Sequence, residues 1–262
     1  MEVIDFHTHI YPNPIARIAT KSICNFYDLK SNLNATSEVL RSLGKEGGIS
    51  KFVLLPVALK PQQVGEINHF IASEAAAHEE FIGFGTLHAA MDDPLSEIEK
   101  LQDLNLKGIK LHPDTQQFPI DDERLYPIYD ALQGRYPVLI HCGDPRYDFS
   151  HPRRLKKILH MFPDLTVIAA HLGGWSVFDE AMECLENETC YLDISSSIMF
   201  LGQAKAKKYI YRYGADRILF GSDFPLWSPV QELETFLSLG FSTEDQEKIA
   251  SKNAKRLLHL QD

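Results

Sequence analysis

Short apolar and β-branched runs recur along the chain and alternate with longer stretches of helical spacing. The runs fall at 2–10, 49–57, 81–89, 106–113, 137–143, 165–174, 189–197 and 217–225. Between them lie patterns that repeat on a helical period, such as 61–80, 94–105, 122–134, 152–161 and 203–213. Strands alternating with helices predict βαβ units and a parallel sheet. Eight such units in 262 residues favour a closed α/β (β/α)8 TIM barrel over an open sheet. The stretch 12–37 fits this rhythm least, and reads as an insertion between the first strand and first helix that covers the barrel mouth. A last helical pattern, 243–260, is expected to pack on the outside. Gly83, Gly85 and Gly108 weaken the third and fourth strands.

Composition narrows the class without naming a chemistry. Hydrophobic residues make up 44% of the chain, enough for a sizeable core, and no linker-like or low-complexity tract divides it. A single domain, 1–262, is the expectation. The formal net charge of -10 argues against nucleic acid or an acidic membrane as partner. The opening MEVIDFHTHI has neither the basic region nor the apolar run of a signal peptide. No apolar run is long enough to span a bilayer. The four cysteines form no C-x-x-C and read as reduced thiols in a cytoplasmic protein.

The histidines carry the main functional signal. Six of 11, namely His7, His9, His88, His112, His141 and His171, lie at the C-terminal ends of predicted strands. In a barrel of this type that end holds the active site. Side chains two apart on a strand share a face, so Asp5, His7 and His9 are expected to point the same way. His141, His171 and Asp223 occupy like positions on strands five, six and eight. Several imidazoles and one carboxylate around an open position suit zinc or a similar divalent ion. Each motif alone has a bland reading: His7-Thr8-His9 is a common pair, His141 could be a core histidine, and Asp223 could serve a turn before Pro225.

Other residues add options. Lys110 and His112 share a face on strand four. A lysine turned into a barrel must be paired or modified, so Lys110 reads as a salt-bridge partner, a carbamate bridging two metals, or a cation for a substrate carboxylate. His88 reads as a pocket-lining residue. Cys142, next to His141, should turn outward as a small core residue. Asp144 and Arg146 read as substrate contacts or a surface ion pair, and Trp175, Phe200 and Trp227 as pocket walls or ordinary packing.

At these residues the sequence resembles the amidohydrolase superfamily. It is most similar to the amidohydrolase 2 branch, which includes aminocarboxymuconate-semialdehyde decarboxylase. The matching pieces are Asp5-Phe6-His7-Thr8-His9, Gly108-Ile109-Lys110-Leu111-His112-Pro113, His141-Cys142-Gly143, Ala170-His171-Leu172-Gly173-Gly174, Gly221-Ser222-Asp223-Phe224-Pro225 and Asn253-Ala254-Lys255-Arg256-Leu257-Leu258. They span nearly the whole chain in order, and are specific to the superfamily rather than to a substrate. The resemblance implies a TIM-like barrel holding one divalent ion by His7, His9, His141 and Asp223, with His171 as catalytic acid/base. In binuclear relatives a carbamylated lysine bridges two metals, an option that Lys110, with His112 beside it, keeps open. TatD-like nucleases and PHP-type phosphoesterases share the HxH start. The former would carry a glutamate on strand four and a Thr-Asp pair near the end, where this chain has Lys110 and Ser222-Asp223.

The resulting expectation is a metal-dependent hydrolase acting on a small amide, lactone or ester through a metal-activated water. The alternatives are non-oxidative decarboxylation of a small unsaturated or aromatic acid, for which decarboxylase relatives are usually longer than this chain, and a non-catalytic metal-binding barrel. Zinc is the first expectation for the ion, with manganese or iron(II) as alternatives. The partner is a small-molecule substrate; a homodimer is left open.

Overall fold

The computed structural model describes residues 1–261. Nine short strands run parallel: β1 (Ile4–Thr8), β2 (Lys51–Leu54), β3 (Phe81–Gly83), β4 (Gly85–Thr86), β5 (Ile109–Leu111), β6 (Val138–Ile140), β7 (Val167–Ala169), β8 (Tyr191–Asp193) and β9 (Ile218–Leu219). They pair in chain order as β1-β2-β3 and β4 through β9. β3 and β4 are one stave interrupted at Phe84, so the eight runs of the sequence give eight staves. The break follows from packing. A Cβ on Gly83 or Gly85 would sit 2.8 or 2.9 Å from Leu106 or Leu101, so the two glycines let the neighbouring helix lie close while Phe84 turns inward. The circle closes at the seam between the last and first staves, where Phe6 N donates to Phe220 O at 2.8 Å and Asp223 N to His7 O at 2.8 Å.

Each stave is followed by a helix. After α1 (Asn13–Tyr27) these are α2 (Ser37–Gly47), α3 (Val64–Ala77), α4 (Pro94–Asp103), α5 (Tyr126–Leu132), α6 (Pro152–Met161), α7 (Phe178–Leu185), α8 (Gln203–Tyr213) and α9 (Pro229–Ser238). Their apolar faces and the outward strand residues, such as Phe52, Ile109, Val138 and Val167, form the main core. Inward residues, including Ile4, Phe6, Val53, Phe84, Leu139, Ile168 and Leu219, form a second cluster inside the barrel. Cys142 belongs to the outer layer, as its place beside His141 predicts. No described helix is long and apolar enough to cross a membrane.

Two expectations about peripheral segments meet different fates. α1 is the insertion, and it does cover the mouth: its Ile23, Phe26 and Tyr27 line the cavity there. Its ends are tied down by Tyr11 N donating to Ala35 O at 2.8 Å and by Ser31 Oγ donating to Pro225 O at 2.5 Å. The C-terminal segment, by contrast, is not merely external packing. Its Ala254 and Leu257 join the inner cluster and floor the barrel, because the lumen would otherwise present apolar surface to water.

Gly143 shows how tightly the mouth is built. Its φ is +82°, and a Cβ there would lie 2.5 Å from the backbone of Gly174 and Trp175. Gly143→Ala must therefore strain its own backbone and push neighbouring staves apart. It should destabilise the protein by about 3 kcal/mol, read as a lowered denaturation midpoint; a midpoint within about half a kcal/mol of wild type would show that the loops separate freely.

Candidate metal centre

Five of the six strand-end histidines meet at the mouth. His88 does not: its Nδ1 accepts from Ala90 N at 3.1 Å and its ring packs on Phe118, away from the cavity. A one-residue irregularity in β1 aims the first pair. The β1–β2 register shifts between Asp5 and Thr8, so the two-residue period fails and Asp5 does not share the face of His7. Asp5 sits opposite the outward Phe52 and accepts from His7 N at 3.1 Å and Ser222 N at 2.9 Å. Such a bulge re-aims a side chain next to a functional centre.

Each ring is oriented by one nitrogen, which fixes what the other can do. A carbonyl oxygen only accepts, so the nitrogen facing it carries the proton. His9 Nδ1 donates to Leu55 O at 2.6 Å, His171 Nδ1 to Ser195 O at 3.0 Å and His141 Nε2 to Gly143 O at 3.0 Å. His7 Nδ1 donates to the carboxylate of Asp193 at 2.9 Å. Four lone pairs remain: His7 Nε2, His9 Nε2, His141 Nδ1 and His171 Nε2. His7 Nε2 and His9 Nε2 lie 3.5 and 3.4 Å from Asp223 Oδ1. His141 Nδ1 lies 3.0 Å from His171 Nε2, so two lone pairs face each other at hydrogen-bond distance. That arrangement calls for a cation or a shared proton between them. A divalent ion fits this donor set: three groups can place ligand atoms within 4.8 Å of one another, and His7, His9 and Asp223 form one of them. His141 stands beside this trio, through His171, rather than inside it.

The electrostatics agree. Burial, then the charges of neighbouring imidazoles and Lys110, holds His141 well below the usual histidine range. Burial, then Lys110, does the same to His7. The rings therefore stay neutral and keep the lone pairs a metal needs. Burial pushes the Asp223 carboxyl up, but His7 and His9 outweigh it and hold it well below the ordinary carboxylate range.

Lys110 is fully buried, and its Nζ lies 3.3 Å from His7 Nε2. Among the described residues no carboxylate forms an ion pair with it, so the salt-bridge reading fails. Burial lowers its pKa from 10.5 to about 8. His112 stacks on His141 with centroids 3.9 Å apart and bonds Tyr27 Oη through Nε2 at 2.7 Å. Asp144 and Arg146 form an ion pair at 2.6 Å, and Arg146 also bonds Phe26 O, so the pair latches α1 rather than reaching into the pocket. Trp175, Phe200 and Trp227 make a row outside the cavity; Trp175 packs edge-on against Tyr27 with centroids 5.0 Å apart, and Trp227 donates to Ser196 Oγ, which donates to Asp223 Oδ2 at 2.5 Å.

The comparisons with known proteins fall on this geometry. A family profile described as Amidohydrolase, the amidohydrolase 2 profile, matches residues 4–260. The chain belongs to the amidohydrolase 2 family. Among solved structures, an uncharacterised TIM-barrel protein from Bordetella bronchiseptica has a TM-score of 0.81 at 24% identity, over 99% of each chain. Dihydroxybenzoic acid decarboxylase from Polaromonas sp. JS666, with bound manganese and the inhibitor 2-nitroresorcinol, gives 0.77 at 18% identity, over 99% of this chain and 97% of that one. The 5-carboxyvanillate decarboxylase of Sphingomonas paucimobilis gives 0.74 at 14% identity, over 99% of each. At such identities these structures establish the fold, and the expected (β/α)8 barrel is borne out.

Sequence reasoning missed Asp193. Its Oδ2 takes His7 Nδ1–H, and its Oδ1 takes the backbone N–H groups of His171 and Ser195 at 3.2 and 3.0 Å. A tally of histidines passed over it, although an acid in the apolar run Tyr191-Leu192-Asp193-Ile194 was the available signal. Asp114, Tyr27 and Ser195 were missed too, since loops and insertions carry no period.

Two outcomes follow. Asp193→Asn removes the charge behind His7 and should weaken zinc binding by about 10- to 100-fold, measured by competition with a chromophoric chelator; unchanged affinity would make Asp193 a bystander. Lys110→Met should stabilise metal-stripped protein. Below pH 8 the fold holds a buried ammonium that the unfolded chain, with a pKa of 10.5, carries at no cost. The gain at pH 7 should be about 3 kcal/mol and should vanish as pH rises toward 10.5. Destabilisation at pH 7, seen in urea titration, would mean that Lys110 has a favourable partner after all.

Proposed function

We propose that this protein is a metal-dependent hydrolase of a small carbonyl compound, an amide, lactone or ester. The observation that carries the reading is the convergence of the His7 and His9 lone pairs on the Asp223 carboxylate, with the facing His141 and His171 lone pairs beside them, at the base of a cavity of about 400 Å3. His7, His9, His141 and Asp223 are the residues that would hold the ion, and three imidazoles with one carboxylate suit zinc, with manganese or iron(II) also tolerated. When bound, such an ion polarises a carbonyl oxygen and makes a water acidic enough to attack near neutral pH.

The chain's own groups supply the rest. Asp223 is kept ionised by His7 and His9, and Ser196 fixes its Oδ2, so its Oδ1 is placed to accept the proton of the attacking water. His171 donates Nδ1–H to Ser195 O, which leaves the Nε2 lone pair free to take up the proton that Asp223 accepts from the water and hand it to the leaving group. Lys110 sets a positive charge at the base of the pocket, where a developing oxyanion is stabilised. Tyr11, Ile23, Phe26, Phe149 and Leu226 give the cavity apolar walls. They keep water away from all but the reacting end.

Decarboxylation is the second reading, and one observation favours it. Among the described residues the Lys110 amine has no carboxylate partner, and it lines the cavity, where a substrate carboxylate could supply one. The solved decarboxylases that share the fold point the same way.

Product analysis in H₂¹⁸O separates the two. Hydrolysis places ¹⁸O in the product, whereas release of CO₂ without solvent oxygen would replace the hydrolase reading by the second. On any substrate found, Asp223→Asn should lower turnover by at least about 100-fold while circular dichroism stays that of wild type. Activity within a few-fold of wild type would remove Asp223 from the chemistry.

A further inference from the structure

Two buried polar atoms of the cavity take no part in the chemistry above. His112 Nδ1 and Asp114 Oδ1 are both without a hydrogen-bond partner. Their residues are 8% and 3% exposed and line the cavity, and the two atoms themselves lie just beneath its wall, so a small turn of each side chain presents them. Leaving a buried polar atom unmade costs about 1–3 kcal/mol, so two together in one pocket mark a place where a ligand completes the bonding.

The surrounding bonds define what each atom offers. Among the described residues the Tyr27 hydroxyl has one polar partner, His112 Nε2 at 2.7 Å; a buried hydroxyl with a single partner satisfies its own proton by donating, which makes Nε2 the acceptor. The proton of the neutral His112 ring then sits on Nδ1, which is a donor. Asp114 Oδ2 is occupied by Ser150 Oγ, which donates at 2.5 Å, so Oδ1 is a free acceptor. A ring nitrogen of His112 and a carboxylate oxygen of Asp114 lie within 4.8 Å of each other. The place is thus a donor beside an acceptor, one stacked ring away from His141.

We propose that His112 and Asp114 form a substrate-recognition subsite for a neutral group that presents an acceptor beside a donor, either a carboxamide or lactam edge or a hydroxyl. Such a group takes His112 Nδ1–H and gives its own proton to Asp114 Oδ1. A carboxylate or an ether fails, the first by repulsion from Asp114 and the second for want of a proton. Tyr27, from the insertion, sets the polarity of the subsite by fixing the His112 tautomer, so α1 acts on specificity through a hydrogen bond as well as through bulk. The subsite rests on the reading that an ion is held at His7, His9, His141 and Asp223, since it recognises the far end of a molecule anchored there.

Benzohydroxamic acid, which chelates divalent ions, tests this together with its hydroxy- and carbamoyl-substituted ring isomers. Affinities are measured by isothermal titration of zinc-loaded protein whose metal content has been determined. At least one substituted isomer should bind about tenfold tighter than the parent, the gain of two hydrogen bonds. A larger gain for the carbamoyl or the hydroxyl series tells which group the subsite prefers. In Asp114→Asn the Ser150 hydroxyl retains the amide oxygen, so an N–H₂ faces the pocket and the subsite offers two donors. The ratio of carbamoyl-substituted to parent affinity should then fall to about one, since the carboxamide N–H meets a second donor, and in His112→Phe, which keeps the stack on His141, the ratio should fall for both series. Equal affinities of all probes for wild type overturn the subsite, as does a tenfold ratio that survives in both variants. A protein that takes up no metal overturns the subsite and the hydrolase reading together, whereas a chelating parent compound without any gain from substitution overturns the subsite alone.

Discussion

The buried carboxylate of Asp193 is the fixed point of the site. It is surrounded by barrel interior, where an unpaired charge would cost several kcal/mol, yet it takes protons from His7 Nδ1, from Ser195 Oγ and from two backbone amides. Those bonds hold it ionised, and its ionisation fixes the direction of everything nearby. His7 must point Nε2 toward Asp223. Ser195, held by the same carboxylate, presents its carbonyl to His171 Nδ1 and so turns His171 Nε2 toward His141. The lone pairs of His7 and His171 point inward because one acid, set one layer behind them, dictates their tautomers, while the Leu55 and Gly143 carbonyls set those of His9 and His141.

The barrel and its open end could be read along the chain because they rest on repetition. Alternating runs and helices repeat eight times, and strand-end histidines stand out against that background. His7, His9, His112, His141, His171 and Asp223 all reach the cavity. What could not be read rests on departures from repetition. The register shift between Asp5 and Thr8 breaks the two-residue rule that grouped Asp5 with His7. His88 obeys the rule for position but is consumed by a local turn. Asp193 has the position without being a histidine. Lys110 looked equally like an ion-pair partner or a free cation, because a sequence does not show what lies across a barrel. The C-terminal helix seemed peripheral since its apolar spacing is that of any outer helix; only the closed barrel shows that Ala254 and Leu257 meet its floor.

The insertion builds one wall of the cavity. α1 supplies Tyr27 to His112 and apolar side chains to the cavity wall. Arg146, held by Asp144, bonds the Phe26 carbonyl in the last turn of that helix, where a cation also meets the negative end of the helix dipole. The candidate ligands thus sit on a rigid ring of staves, and much of the cavity wall on one added helix. That division lets substrate preference change without disturbing the ion's ligands.

The seam of the barrel has a consequence for assembly. His7 and His9 come from the first stave and Asp223 follows the last, and these two staves meet only when the circle closes, through Phe6 to Phe220 and Asp223 to His7. A chain with seven staves in place lacks part of the proposed ligand set. An ion bound across this junction favours the closed ring over every opened form in proportion to its affinity. It works as a clasp between the first stave and the last, so loss of metal would loosen the barrel first along that seam.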